Sequence, residues 1–296
     1  INYWSENLLL CAEGLLEGYK IGMEVGDMGY AATCACQHLR QLLFCGESLD
    51  LAEKRARAFC HQLAERNHGP GLSWCISPWQ TMLNLLGKSE NPEELEGEAT
   101  QFGAFQNTDS SQSKNLDEAI FSFFEMYLAY MFGKSAKAAE KSKAVKKLLC
   151  ESSNRFRYCM LYNFVFYDGL ISIDMAMLTK ERVWRKEARR NMKRLKKAAK
   201  IVPKIHLFMY DLINAGYATL KGKTKDAARL YDTVITTVAE TGFCHYEALA
   251  YEKAGVFFKK QGREEKAAQY LVNAYQCYLK WGAKAKADHL YTHWMH

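Results

Sequence analysis

Three Gly-Lys-Ser/Thr triplets are the first residues whose types and spacing could do chemistry: Gly87-Lys88-Ser89, Gly133-Lys134-Ser135 and Gly222-Lys223-Thr224. A loop that wraps phosphates in backbone N–H groups needs another glycine five positions before the triplet's own, at the exit of a strand. Met82, Leu128 and Tyr217 stand there instead, and each triplet follows a helical pattern. The triplets are therefore expected to be turns, with Ser or Thr capping the next helix. His289, His293 and His296, four and three residues apart, could share one helix face and hold a transition metal. The string His289-Leu290-Tyr291-Thr292-His293 lacks the acidic residue of a metalloprotease helix, and imidazoles at a chain end are seldom pre-organised. No metal and no cofactor are expected.

Nucleophilic chemistry finds no better footing. Cys60 and His61 are neighbours on a helix and so point in different directions. Carboxylate pairs such as Glu93-Glu94 and Glu264-Glu265 are expected at helix starts, where they favour the helix dipole. Ten cysteines are scattered without a Cys-x-x-Cys, and Cys34 and Cys36 lack a second pair of ligands nearby. Unpaired thiols in a reducing, cytoplasmic interior follow as the expectation. This chain is expected not to be an enzyme.

The sharpest local feature is a run of charge from Lys180 to Lys204, with twelve Lys or Arg against Glu181 and Glu187. Its net +10 exceeds the +7 of the whole chain, so the remainder is slightly acidic. Trp184, Ala188, Met192, Leu195, Ala199 and Val202 fall at helical spacing and form one apolar stripe. Arg182, Arg185, Lys186, Arg189, Arg190, Lys193, Lys196, Lys197 and Lys200 populate the other faces. Such a helix could meet an acidic protein, nucleic acid or an anionic surface, or could simply be a solvated face. A second basic stretch runs from Lys134 to Lys147.

Helices must position all of these residues. Four prolines in 296 residues leave long stretches free to be helical, and no alternation persists long enough for a strand. No apolar run reaches the roughly 20 residues of a membrane span. Met160 to Met177, the longest candidate, is interrupted by Asn163, Asp168 and Asp174 and reads as a buried helix. Gly222 and Gly262 align at a period of forty residues, as do Ala227 with Ala267 and Gly242 with Gly282. Small residues such as Ala215, Ala218, Ala227 and Ala228 would let helices approach, while Tyr231, Phe257, Phe258 and Leu271 fill between them. Stacked units of this kind bury together what none can bury alone. The expected fold is all-α, a right-handed α-solenoid of tetratricopeptide-like antiparallel helical hairpins, as a single domain over 1–296. Its clearest repeats lie in 205–283, and its least regular connection, near 88–115, is expected to be a short helix and then a loop. The first residue is isoleucine, so a fragment or a processed form of something longer is expected.

Several strings resemble the helical-repeat region of very large signalling proteins that carry protein-kinase-like, AAA-type ATPase, GAF and sensor histidine kinase domains. They are Leu15-Leu16-Glu17-Gly18-Tyr19 with Gly22-Met23-Glu24-Val25-Gly26-Asp27, Leu83-Asn84-Leu85-Leu86-Gly87-Lys88-Ser89-Glu90-Asn91-Pro92, and Ala274-Tyr275-Gln276-Cys277-Tyr278-Leu279-Lys280-Trp281-Gly282. Tyr251 stands before Glu252 where that family often has asparagine. The resemblance implies a scaffold that relays signals between domains or binds protein partners, with no chemistry of its own. Tyr210, Asn214, Tyr217, Tyr251 and Glu252 are candidates for its partner-binding surface, beside the basic helix. A nucleic-acid-binding solenoid using 180–204, or a helical sensor with a small molecule between helices, are the alternatives.

Overall fold

The computed structural model describes residues 8–105, 114–151 and 155–295. Those residues form fourteen helices and no strand. In chain order they are α1 (Leu8–Val25), α2 (Met28–Cys45), α3 (Leu49–Glu65), α4 (Gly69–Leu86), α5 (Glu98–Phe105), α6 (Lys114–Met131) and α7 (Ser135–Glu151). Then follow α8 (Arg155–Thr179), α9 (Arg182–Ala199), α10 (Pro203–Leu220), α11 (Thr224–Ala239), α12 (Cys244–Lys260), α13 (Glu264–Trp281) and α14 (Lys284–Trp294). The chain divides into two compact units, one of Ile1–Ala129 with Lys141–Cys159, the other of Tyr130–Glu140 with Met160–His296.

In the first unit α1 packs on α2, α3 on α4, and α2 on both α3 and α4. Small residues set these approaches. A Cβ on Gly22 would sit 2.9 Å from the backbone nitrogen of Ala31, and one on Gly71 would collide with the Ala32 methyl. Cys36, Cys60 and Cys75, far apart in sequence, meet in this core, where Cys75 hydrogen-bonds both others. That contact and burial hold the Cys36 thiol well above its ordinary pKa, so it is a protonated packing group. Cys34 and Cys36 part company: Cys36 donates to the Trp74 carbonyl at 3.2 Å, and Cys34 lies beside Tyr30.

The irregular stretch is tied down before its helix. Asn84 Nδ2 donates to the carbonyls of Asn91, Pro92 and Glu94, and Gln80 Nε2 to that of Glu96. Gln80 Oε1 in turn accepts from the N–H of Ala99, at the start of α5. Glu93 and Glu94 therefore lie in this clipped loop rather than at a helix start, which falls at Glu98; Glu264 and Glu265 do open α13. The loop expected after α5, residues 106–113, lies outside the described residues.

In the second unit each helix from α9 to α13 packs on its successor. The forty-residue period is visible as geometry. Gly222, Gly242, Gly262 and Gly282 all adopt positive φ, between +70° and +95°, at the ends of α10 to α13. Only glycine takes that conformation without a steric penalty, and it lets the following N–H groups close the helix end. The three Gly-Lys-Ser/Thr triplets are such turns, but their hydroxyls do not cap. Thr224 and Ser135 are the first helical residues, Lys223 occupies the cap without a side-chain bond, and Ser89 Oγ donates to the Glu96 carbonyl. A Cβ on Gly255 would lie 2.7 Å from Leu271 Cγ, so glycine sets the approach of α12 to α13. Tyr231, Phe257, Phe258 and Leu271 are buried between these helices.

Candidate functional site

The basic run folds as α9, eighteen residues or about 27 Å long. Trp184, Ala188, Asn191, Leu195 and Ala198 are its buried face. This corrects the purely apolar stripe: Met192 and Ala199 are only half-buried, and a polar residue takes the inner position. Asn191, 1% exposed, reaches Asp168 of α8 and donates through Nδ2 to Oδ2 at 2.6 Å. A buried carboxylate costs free energy unless hydrogen-bonded, which fixes asparagine where apolar periodicity expects a hydrocarbon.

With that face turned inward, nine cations and one acid remain on α9. Arg189, Arg190, Lys193, Lys196 and Lys197 are exposed, and Arg185 is half-buried. Arg190 meets Glu187 at 3.9 Å, and Arg189 Nε donates to the Arg185 carbonyl at 3.5 Å. Lys196 Nζ lies 5.7 Å from the ring centre of Tyr210 on α10, a cation–π contact that joins two of the candidate residues. Among the described residues no carboxylate lies within ion-pair distance of Arg189, Lys193 or Lys197. The second basic stretch behaves differently: Lys141 is paired with Glu125 at 2.7 Å, and Lys134, Lys137, Lys143 and Lys146 have partners too.

Apolar side chains flank the cationic face. Leu178 is 67% exposed, Val183 60% and Ile201 76%, bracketing α9 at its two ends. Lys180, in the turn from α8, is one of two non-glycine residues with positive φ among those described, at 62°. The charge imbalance extends beyond the helix. Residues 1–129 carry 18 Asp and Glu against 8 Lys and Arg, whereas residues 130–296 carry 15 against 32.

The remaining candidates are buried or half-buried. Tyr217 is buried, with Lys221 Nζ 4.9 Å from its ring centre. Asn214 is half-buried on α10, and Tyr251 faces Tyr270 of α13 with ring centres 5.9 Å apart. Glu252 accepts from Lys286 Nζ at 2.8 Å and from the Tyr278 hydroxyl at 2.6 Å, and the Lys286 side chain is 2% exposed. Burial pushes the Glu252 carboxyl up, but the ammonium groups of Lys286 and Lys253 outweigh it and hold the pKa below the ordinary value. Glu252 therefore braces α12 against α14. Its role was hidden in the sequence because its cation lies 34 residues away.

His289 and His293 stack with ring centres 4.1 Å apart, and His289 also packs edge-on against Phe132. Burial first, then neighbouring cations, bring the His289 pKa down to about 4. His296 lies outside the described residues. Among the described residues no group of three histidine, cysteine or carboxylate side chains could hold a metal ion, and no helix is long and apolar enough to cross a membrane. No protein-family model matches this chain, and no curated protein matches it.

Proposed function

We propose that this chain is a non-catalytic helical-repeat scaffold for protein–protein interaction or interdomain signal relay, within a larger ATPase- or histidine-kinase-type signalling protein. Its helices would form a right-handed solenoid of antiparallel tetratricopeptide-like hairpins. The outer face of α9 would receive an acidic protein segment. One observation carries this reading: α9 presents cations without carboxylate partners, bracketed by exposed Leu178, Val183 and Ile201. Charge gives steering and register, but protein recognition also draws on apolar anchors. A phosphate backbone needs the cations alone, so the flanking aliphatic residues favour an acidic amphipathic segment over nucleic acid.

The test is fluorescence anisotropy with a labelled acidic amphipathic peptide and, separately, a short RNA duplex. The reading expects peptide binding that weakens with salt and is lost when Arg185, Arg189, Arg190, Lys193 and Lys197 are changed to Glu. Tighter binding of the duplex, with a log–log salt slope of about −0.9 per neutralised phosphate, would replace the acidic protein with nucleic acid. Peptide binding that survives the five changes would remove α9 from the site.

A further inference from the structure

A second feature of the Tyr130–Glu140 and Met160–His296 unit is independent of α9: a cleft of about 70 Å³ among α8, α10, α11 and α12. Leu170, Ile173, Leu212, Val256 and Phe257 form its apolar wall. Its polar groups are Asp174, Thr219, Tyr231, Lys253 and Lys260, and the Thr219 hydroxyl donates to the Ala215 carbonyl of its own helix. Lys253 Nζ donates to Asp174 Oδ2 at 3.0 Å. The same ammonium lies 4.7 Å from the ring centre of Tyr130; with three N–H donors it keeps at least one for a ligand. Lys260, one helical turn pair further along α12, is exposed and has no carboxylate partner among the described residues. Two cations and one carboxylate leave the lining one positive charge in excess.

We propose that this cleft binds a short aliphatic carboxylate, its anion held by Lys253 and Lys260 and its hydrocarbon end set against α8, α10 and α12. Volume selects the size. A water needs roughly 10–15 Å³ of such space, so the cleft holds about five to seven water-sized atoms, a carboxylate of four or five carbons. Nucleotides and large cofactors fill sites of about 300–1,000 Å³ and are excluded. Charge selects the headgroup. A cationic ligand would face two ammonium groups, and a neutral one would leave Lys260 without a partner. Gly216 contributes to the shape, because a Cβ there would stand 3.2 Å from Ile173 Cγ2 and crowd the wall.

The experiment uses the whole chain with isotope-labelled methyl groups and titrates isobutyrate, isobutylammonium and isobutanol, which share one hydrocarbon and differ in charge. Isobutyrate is expected to shift the methyl signals of Leu170, Ile173, Leu212 and Val256 saturably at millimolar concentration. It should bind roughly tenfold more tightly than isobutylammonium, the ratio that about 1.4 kcal/mol of charge discrimination gives. Lys260→Met, at an exposed position that should not disturb folding, should weaken isobutyrate several-fold and leave isobutanol unchanged. Val256→Trp should fill the cleft and abolish the shifts. Absence of saturable shifts, equal binding of all three compounds, or binding unaffected by Val256→Trp would each overturn the proposal. None of these outcomes bears on α9, whose charges are untouched in every variant.

Discussion

Lysine and arginine do opposite work in two regions of the same unit. On α9 most of them project into solvent, with Glu187 the one acid of the helix; Arg185 is half-buried, and Lys196 reaches the Tyr210 ring. At Lys286 of α14 and Lys253 of α12 the cations are matched within the fold: Lys286, buried, meets Glu252 at 2.8 Å, and Lys253, half-buried, meets Asp174 at 3.0 Å. Taking an ion out of water costs several kcal/mol, so an interior charge persists only with a partner and satisfied hydrogen bonds. Glu252 has both, from Lys286 and from the Tyr278 hydroxyl. The contrast separates structural charge from charge left over for a partner. A cation matched by the fold cannot be removed alone without leaving its partner's charge uncompensated, whereas unmatched cations concentrated on one face create a field for something else.

That contrast can be broken most forcefully from the inside. Lys286→Met leaves the Glu252 carboxylate buried with its ammonium gone, and is expected to destabilise the chain by about 3–5 kcal/mol in urea unfolding. Lys286→Met combined with Glu252→Leu should recover most of that loss, because an apolar pair of similar size replaces the ion pair. If the double variant were no better than the single one, the loss would belong to packing instead of charge.

Acid probes the same interior more gently. His245 is fully buried between Tyr246 and Trp281, with ring centres 3.9 and 5.1 Å away, and burial brings its pKa down to about 3. The folded state thus refuses a proton that the unfolded state accepts near pH 6.5. Stability is therefore full above that value and falls as pH drops from about 6.5 toward 3, by about 1.4 kcal/mol per pH unit for this residue alone. His206, with a pKa near 4 for the same reason, steepens the decline. His245→Phe should flatten the stability profile between pH 6.5 and 4, measured by thermal unfolding across pH; an unchanged slope would assign the acid sensitivity elsewhere.

The smallest effect on stability is expected where the charge is densest. Changing Arg185, Arg189, Arg190, Lys193 and Lys197 to Glu should lower the thermal midpoint only slightly, through the half-buried Arg185 and the Arg190–Glu187 pair, since exposed charges brace little of the fold. A large drop would mean that α9 serves the structure after all.

Legibility in the sequence followed the range of the interactions. The glycine turns at a forty-residue period, and the outer face of α9, depend on residues close in the chain, and both could be read directly. The inner face of α9 could be read only in part, because Asn191 is chosen by Asp168 on another helix. Glu252 looked like a surface candidate until its partners, 26 and 34 residues away, were in place. The meeting of Cys36, Cys60 and Cys75, and the clip that Gln80 and Asn84 impose on the loop before α5, left no local pattern at all. Long-range polar pairing carries no periodicity, so it surfaces only once the helices are placed.

On the proposed function, a partner binds the outward face of α9. Amide and methyl chemical shifts of the whole chain, recorded while an acidic amphipathic peptide is added, test it most directly. Changes are expected to concentrate on Arg185, Arg189, Arg190, Lys193, Lys196 and Lys197, with methyl shifts at Leu178, Val183 and Ile201, all fading as salt is raised. Saturable changes elsewhere, with α9 silent, would contradict it.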